Sequence, residues 1–79
     1  MPIAAASTYV SRLPQDRTSE LRLRVARAAG VFAVTGTRFY RENLARAMRR
    51  ALAAGLPADE VIALSVLPRT EAEQLLANP

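Results

Sequence analysis

Arginine is the residue type through which this chain of 79 residues could do chemistry, and its arginines are unevenly placed. Residues 1–55 carry ten of the eleven arginines and three acids, a balance of +7. Residues 56–79 carry one arginine and four acids, a balance of −3. Guanidinium groups bind phosphates and carboxylates through paired hydrogen bonds, so the first segment is suited to an anionic ligand. The exclusive use of arginine over lysine is equally typical of GC-rich coding bias, which would also account for the alanine content.

Residue types that support catalysis or bind transition metals are missing or poorly spaced. The chain has no histidine and no cysteine, which excludes the usual zinc spacings, thiol nucleophiles and imidazole acid–base catalysis. It has no glycine-rich phosphate-binding loop. The acid pairs Asp59/Glu60 and Glu71/Glu73 fit the first turns of helices better than a hydrolytic dyad. We therefore expect a protein that is not an enzyme and that uses no cofactor, no metal and no small-molecule substrate.

Length and hydropathy indicate one small domain with a thin core. A chain of this size is only marginally stable unless something reinforces it, and the absence of cysteine excludes disulfides. Self-association is the remaining way to reinforce it, so we expect a homo-oligomer, most simply a homodimer. No signal-peptide pattern and no run of about 18 apolar residues occurs. These features predict a cytoplasmic protein that does not enter the membrane.

Periodicity predicts an all-α fold. Residues 1–17 are expected to form a poorly structured or short-helical arm, and residues 18–79 a single domain of three to five helices. A helix beginning near Ser19 is predicted by one apolar face, consisting of Leu21, Val25, Ala28, Ala29 and Phe32. Gly36 is expected to end it, although a short strand at residues 31–35 is an alternative.

The clearest helical pattern covers residues 37–54. Its apolar stripe consists of Tyr40, Leu44, Ala47, Met48, Ala51 and Leu52. Arg46, Arg49 and Arg50 fall on the opposite side, where they form either a solvated face or a contact surface for an anion. Gly55 and Pro57 separate this helix from two short ones, which are expected at residues 57–65 and 68–77.

The two short helices and the turn between them resemble the helix-turn-helix of small bacterial and phage DNA-binding regulators. The resemblance covers residues 55–76, within a unit at residues 55–77. A helix ending in Ala54-Gly55 leads to a short helix with paired acids in its first turn. A three-residue turn and a second helix opening Arg69-Thr70-Glu71 follow. In that family the first short helix braces the second, which enters the major groove of DNA.

The resemblance implies roles for particular residues. Arg69, Thr70, Glu73 and Gln74 would contact bases, since Arg–guanine, Gln–adenine and Glu–cytosine pairs are known. Because the second short helix carries two glutamates, phosphate contacts would come from arginines on neighbouring helices. These are Arg38, Arg46, Arg49 and Arg50.

This sequence departs from the family pattern at two positions. Ile62 stands where the family prefers alanine at the contact between the helices, and Val66 stands where it prefers glycine with a positive φ. A β-branched residue rarely adopts positive φ. Either the turn has another geometry, or the register is shifted by one residue and Ala63 occupies the contact position.

The sequence thus supports two functional hypotheses. The first is a DNA-binding transcriptional regulator or accessory factor of bacterial or phage type, whose partner is double-stranded DNA. The second is a non-enzymatic interaction module, such as an inhibitor, adaptor or antitoxin-like subunit, whose arginine face binds an acidic protein partner. A homo-oligomeric structural protein is a third alternative, but it gives the arginines no role.

Overall fold

The protein is all-α, as the sequence predicts. A computed structural model describes the backbone of residues 2–77 and the side chains of residues 17–77. Within that part of the chain there are four helices: α1 (Pro2–Thr35), α2 (Arg38–Ala53), α3 (Ala58–Ser65) and α4 (Arg69–Ala77). The side chains of the arm expected at residues 1–17 lie, apart from Arg17, outside this description. None of the described helices has both the length and the apolar character needed to cross a bilayer.

The turn between α1 and α2 is built from two residues that favour it, Gly36 and Thr37. Gly36 adopts φ +63°, and its N–H donates to the Phe32 carbonyl at 2.7 Å. Thr37 then caps α2, its hydroxyl accepting a hydrogen bond from the Tyr40 N–H at 3.4 Å. Because α1 remains helical to Thr35, the alternative of a strand at residues 31–35 is wrong. Gly36 is the terminator that the sequence predicts.

A second glycine ends α2. Gly55 adopts φ +102°, and the next residue, Leu56, donates its N–H back to the Ala51 carbonyl at 3.1 Å. Pro57 precedes α3, and Asp59 and Glu60 lie in the first turn of α3, where the helix dipole favours negative charge. The polypeptide is thereby turned back along α2.

Helix α2 is the centre of the packing. It contacts α1, α3 and α4, and α3 also contacts both α1 and α4, whereas within the described residues α4 makes no contact with α1. The buried core is small and rich in alanine, which is consistent with the thin core expected from the sequence. It consists of Val25, Ala28, Ala29, Leu44, Ala45, Met48, Ala51, Leu56, Val61, Ile62, Ala72 and Leu75. The molecule thus has two regions, an α1–α2 hairpin and an α3–α4 corner, and the corner packs against α2 of the hairpin.

Candidate functional site

The turn of the α3–α4 corner has a left-handed residue at Val66, the position where the helix-turn-helix pattern would place glycine. Val66 adopts φ 62° and ψ 13°, the left-handed conformation in which the family prefers glycine. Ile62 is buried at the contact between the helices, and Ala63 is exposed. The register is therefore the one first inferred, with Val66 in the turn. The buried residues of the corner are Val61, Ile62, Ser65, Ala72 and Leu75.

A local hydrogen-bond network holds this strained turn. The Ser65 hydroxyl donates to the Ile62 carbonyl at 2.6 Å and accepts from the Leu67 N–H at 3.2 Å. Ser65 is itself buried, with 2% of its surface exposed, so these bonds are shielded from water. The Val66 side chain is 80% exposed, and its strain is therefore a backbone strain and not a packing clash. Left-handed conformations disfavour residues with a Cβ atom by roughly 1–2 kcal/mol.

The outer face of α4 presents the four residues expected to contact bases. Arg69, Thr70, Glu73 and Gln74 are all exposed. Arg69 is engaged within the molecule, with its Nη2 2.9 Å from Asp59 Oδ1 and its Nε 3.3 Å from Glu73 Oε2. The hydrogen bond to Asp59 and then the charges of both acids raise the pKa of the Arg69 guanidinium. The arginine of α4 thus links it to the first turn of α3.

A second arginine links the hairpin to the corner. Arg22 of α1 is hydrogen-bonded and ion-paired to Glu60 of α3. The hydrogen bond to Glu60 is the main cause that raises the pKa of Arg22, with burial opposing it. A raised arginine pKa stabilises the fold throughout the neutral range. That contribution is lost only in strong base, as the pH rises through the raised pKa.

One arginine-lined groove runs between α2 and α4, with a volume of about 320 Å³. Its arginines are Arg38, Arg41, Arg46 and Arg49, and Glu42, Ala45 and Leu75 complete the lining. Arg49 donates from Nη2 to the Leu75 carbonyl at 3.3 Å, near the C-terminal end of α4. Arg38 lies 3.8 Å from Glu42. The α2–α4 groove therefore brings four guanidinium groups to the inner side of α4 at Leu75, whereas the expected base contacts lie on the outer face of that helix.

A larger groove, of about 460 Å³, runs between α1 and α2. Arginines from both helices line it: Arg24, Arg27, Arg46 and Arg50. The remaining lining is mostly apolar and consists of Leu21, Ala28, Val31, Asn43 and Ala47. Arg46 belongs to both grooves, which lie on sides of α2 about 120° apart.

Comparison of the chain with protein-family models, curated proteins and solved structures gives no significant match.

The sequence-predicted phosphate contacts are divided between the two grooves. Arg38, Arg46 and Arg49 line the α2–α4 groove, whereas Arg50 lines only the α1–α2 groove. Arg41 also lines the α2–α4 groove, although the sequence analysis did not include it among the phosphate contacts. Its spacing from Arg38 and Arg49, three and eight residues, places the three on one side of α2 and could have revealed it. Arg24 and Arg27 line the second groove.

Proposed function

We propose that this protein binds double-stranded DNA, with α4 in the major groove and arginines of α2 on the phosphates. The observation that carries the proposal is the α2–α4 groove, whose four arginines lie next to a helix-turn-helix-like corner with an exposed outer face on its second helix. Helix-turn-helix proteins read bases with the second helix and position the duplex through neighbouring cations. The cellular role proposed is that of a transcriptional regulator or accessory factor of bacterial or phage type.

Base recognition in this proposal falls to Arg69, Thr70, Glu73 and Gln74. Arg69 would exchange its contacts with Asp59 and Glu73 for a guanine edge. The exchange is inexpensive because exposed ion pairs stabilise proteins little, and the side chains of these pairs are 58–81% exposed. Release of Glu73 would free its carboxylate to accept from a cytosine amino group. In the free protein two of the proposed base-reading residues, Arg69 and Glu73, are thus paired with each other.

Phosphate binding falls to Arg38, Arg41, Arg46 and Arg49. Four phosphate contacts predict a slope of about −3.6 for the logarithm of affinity against the logarithm of salt concentration. Affinity should then fall on the order of a hundredfold between about 50 and about 200 mM salt. The net charge of the chain, +4, favours association in the same direction.

The proposal includes a homodimer, because helix-turn-helix proteins bind two half-sites through paired second helices. Exposed apolar side chains on the hairpin support self-association: Leu23 is 49% exposed, Val34 88% and Phe39 67%. Sedimentation equilibrium of the wild type and of Val34→Lys tests this part of the proposal. A wild-type protein that stays monomeric across the micromolar range would contradict it.

The experiment for DNA binding compares two double variants that each remove two positive charges. Fluorescence anisotropy is measured with a random-sequence duplex of about 20 base pairs at about 50 and about 200 mM salt. Arg38→Ala/Arg41→Ala should lower the affinity about tenfold or more and reduce the salt slope by about 1.8. Arg27→Ala/Arg50→Ala, which changes only the α1–α2 groove, should lower it less than about threefold.

Two outcomes would overturn the proposal. One is an absence of saturable binding by the wild type at the lower salt concentration. The other is an equal loss in both double variants, because a general attraction to positive charge would explain it without a defined site. Circular dichroism of each variant confirms that its helices are intact. Selection of sites from a random pool, with Gln74→Ala as the comparison, then tests whether α4 reads bases.

A further inference from the structure

The α1–α2 groove combines two kinds of surface, of which the DNA proposal uses only Arg46. Its floor is apolar, formed by Leu21 and Ala28 on α1 and Ala47 on α2, with Val31 at one end. Its rim carries the guanidinium groups of α1 and α2, and no acidic side chain lines it. Val31 remains 40% exposed, so part of the apolar surface faces water.

Most of the positive charge on this rim is unpaired. Arg24 is 2.9 Å from Glu20 on the same helix. Arg27, Arg46 and Arg50 form no ion pair with any acid among the described residues. Three unpaired guanidinium groups close together repel one another. An anionic occupant would remove that repulsion and accept paired hydrogen bonds.

The apolar floor determines which kind of anion fits. A nucleic-acid backbone would satisfy the rim, but its phosphates would leave Leu21 and Val31 without apolar partners. A peptide helix with apolar residues on one face and carboxylates beside them satisfies the floor and the rim together. The groove extends from Leu21 to Val31 along α1, about 15 Å at the rise of an α-helix. That length matches about three helical turns of a partner.

We propose that the α1–α2 groove binds an acidic amphipathic helix of a partner protein. Apolar side chains of the partner pack on Leu21, Val31 and Ala47. Its glutamates or aspartates pair with Arg27 and Arg50 on opposite walls. This inference does not rest on DNA binding, because the groove is formed by α1 and α2 alone and its apolar floor has no part in that function.

The probe for this site is a fluorescein-labelled acidic peptide of about 14 residues, helical by composition. It carries leucines at i, i+3, i+4 and i+7 with glutamates flanking them. A control peptide has the same composition and charge in an order that destroys the apolar face. Anisotropy at about 50 mM salt should show saturable binding of the first peptide and at least about tenfold weaker binding of the second.

The double variants assign the binding to a groove. Arg27→Ala/Arg50→Ala should weaken peptide binding about tenfold or more, and Arg38→Ala/Arg41→Ala, with the same change of charge, less than about threefold. Amide chemical shifts of wild-type protein should change at Leu21, Val31 and Ala47 when the peptide is added. This order of effects is the reverse of that expected for DNA.

Specific results would overturn the inference. Equal affinity for the two peptides would show attraction to charge alone, and an absence of saturable binding at millimolar peptide would leave the groove without this function. Equal losses in the two double variants would place the contact elsewhere. A duplex that is bound by wild type and Arg38→Ala/Arg41→Ala but lost in Arg27→Ala/Arg50→Ala would assign the groove to nucleic acid. Failure of the DNA proposal itself would leave the peptide result unchanged.

Discussion

The α3–α4 corner pairs its one arginine with acids, whereas the α1–α2 hairpin leaves several of its described arginines unpaired. In the corner, the one arginine, Arg69, is held by Asp59 and Glu73. In the hairpin, Arg22, Arg24 and Arg38 pair with acids, but Arg27 and Arg50 pair with none among the described residues, and they line a groove that has no acid in its lining. The difference follows from the placement of the acids, four of seven of which lie in residues 56–79. Where acids are available arginine braces the fold, and where they are absent its charge remains for a ligand.

The two regions also end a helix with different residues, a glycine and a valine, at nearly the same φ angle. Gly36 after α1 has φ 63°, and Val66 after α3 has φ 62°. Glycine adopts this conformation without strain, whereas valine does not. The hairpin turn is therefore relaxed, and the corner turn depends on the bonds of Ser65 and on the packing around it.

The largest expected effect is a loss of stability in both regions at once, because both pack against α2. Leu44→Ala should lower the free energy of unfolding by about 2–5 kcal/mol, because Leu44 is fully buried in α2. Urea unfolding followed by circular dichroism measures the loss. Leu23→Ala, at a position that is 49% exposed, is the control and should change it by about 0.5 kcal/mol or less. Equal losses of unfolding free energy in Leu44→Ala and Leu23→Ala would mean that packing on α2 does not stabilise both regions.

A smaller effect should be confined to the corner. Ser65→Ala removes the hydroxyl that accepts from the Leu67 N–H, and a buried donor left unsatisfied costs about 1–3 kcal/mol. Hydrogen exchange should show faster opening of α3 and α4 than of α2. Ser19→Ala, on the exposed surface of α1, should leave both the free energy of unfolding and the hydrogen-exchange rates unchanged. Uniformly faster exchange in all helices would contradict a separate corner.

The smallest effect is expected from two separate substitutions that place valine in the first turn and glycine in the second. Gly36→Val should destabilise the protein by about 1–2 kcal/mol, because valine then enters the left-handed conformation. Val66→Gly should stabilise it by roughly 0.5–1 kcal/mol, since the relief of strain exceeds the entropy lost by glycine. Nothing lies within 4 Å of a Cβ built on Gly36, so a clash does not enter the comparison. Thermal unfolding of both variants measures the two changes, and shifts of the same sign would refute the argument.

Periodicity was sufficient to locate the second, third and fourth helices. Residues 37–54 were predicted for α2, and the helix is Arg38–Ala53, because an apolar stripe and a glycine mark it clearly. The continuation of α1 through residues 31–35 was harder to predict. Val31, Val34 and Thr35 have weak helical preference, but α1 continues through them from a segment whose Ala28, Ala29 and Phe32 pack in the core. Tertiary contacts of this kind do not appear in a local pattern.

The conformation of Val66 and the division of the arginines could not be derived from the sequence. Valine at positive φ is tolerated because Ser65 bonds on both sides of the turn, a relation visible only in three dimensions. Spacing along α2 separates its faces, but it does not say which neighbouring helix borders each face. Arg50 lines only one groove, Arg41 and Arg49 line only the other, and Arg46 lines both.

Arg46 has a consequence that extends across the molecule. Its side chain lines both grooves, and one guanidinium group cannot satisfy a phosphate on one side of α2 and a carboxylate on the other at full strength. Two ligands that draw on it are antagonists without touching each other. If both proposed ligands bind, thermodynamic linkage requires that DNA weaken peptide binding by the same factor by which the peptide weakens DNA binding. Through one shared arginine, each ligand would lower the affinity of this small protein for the other.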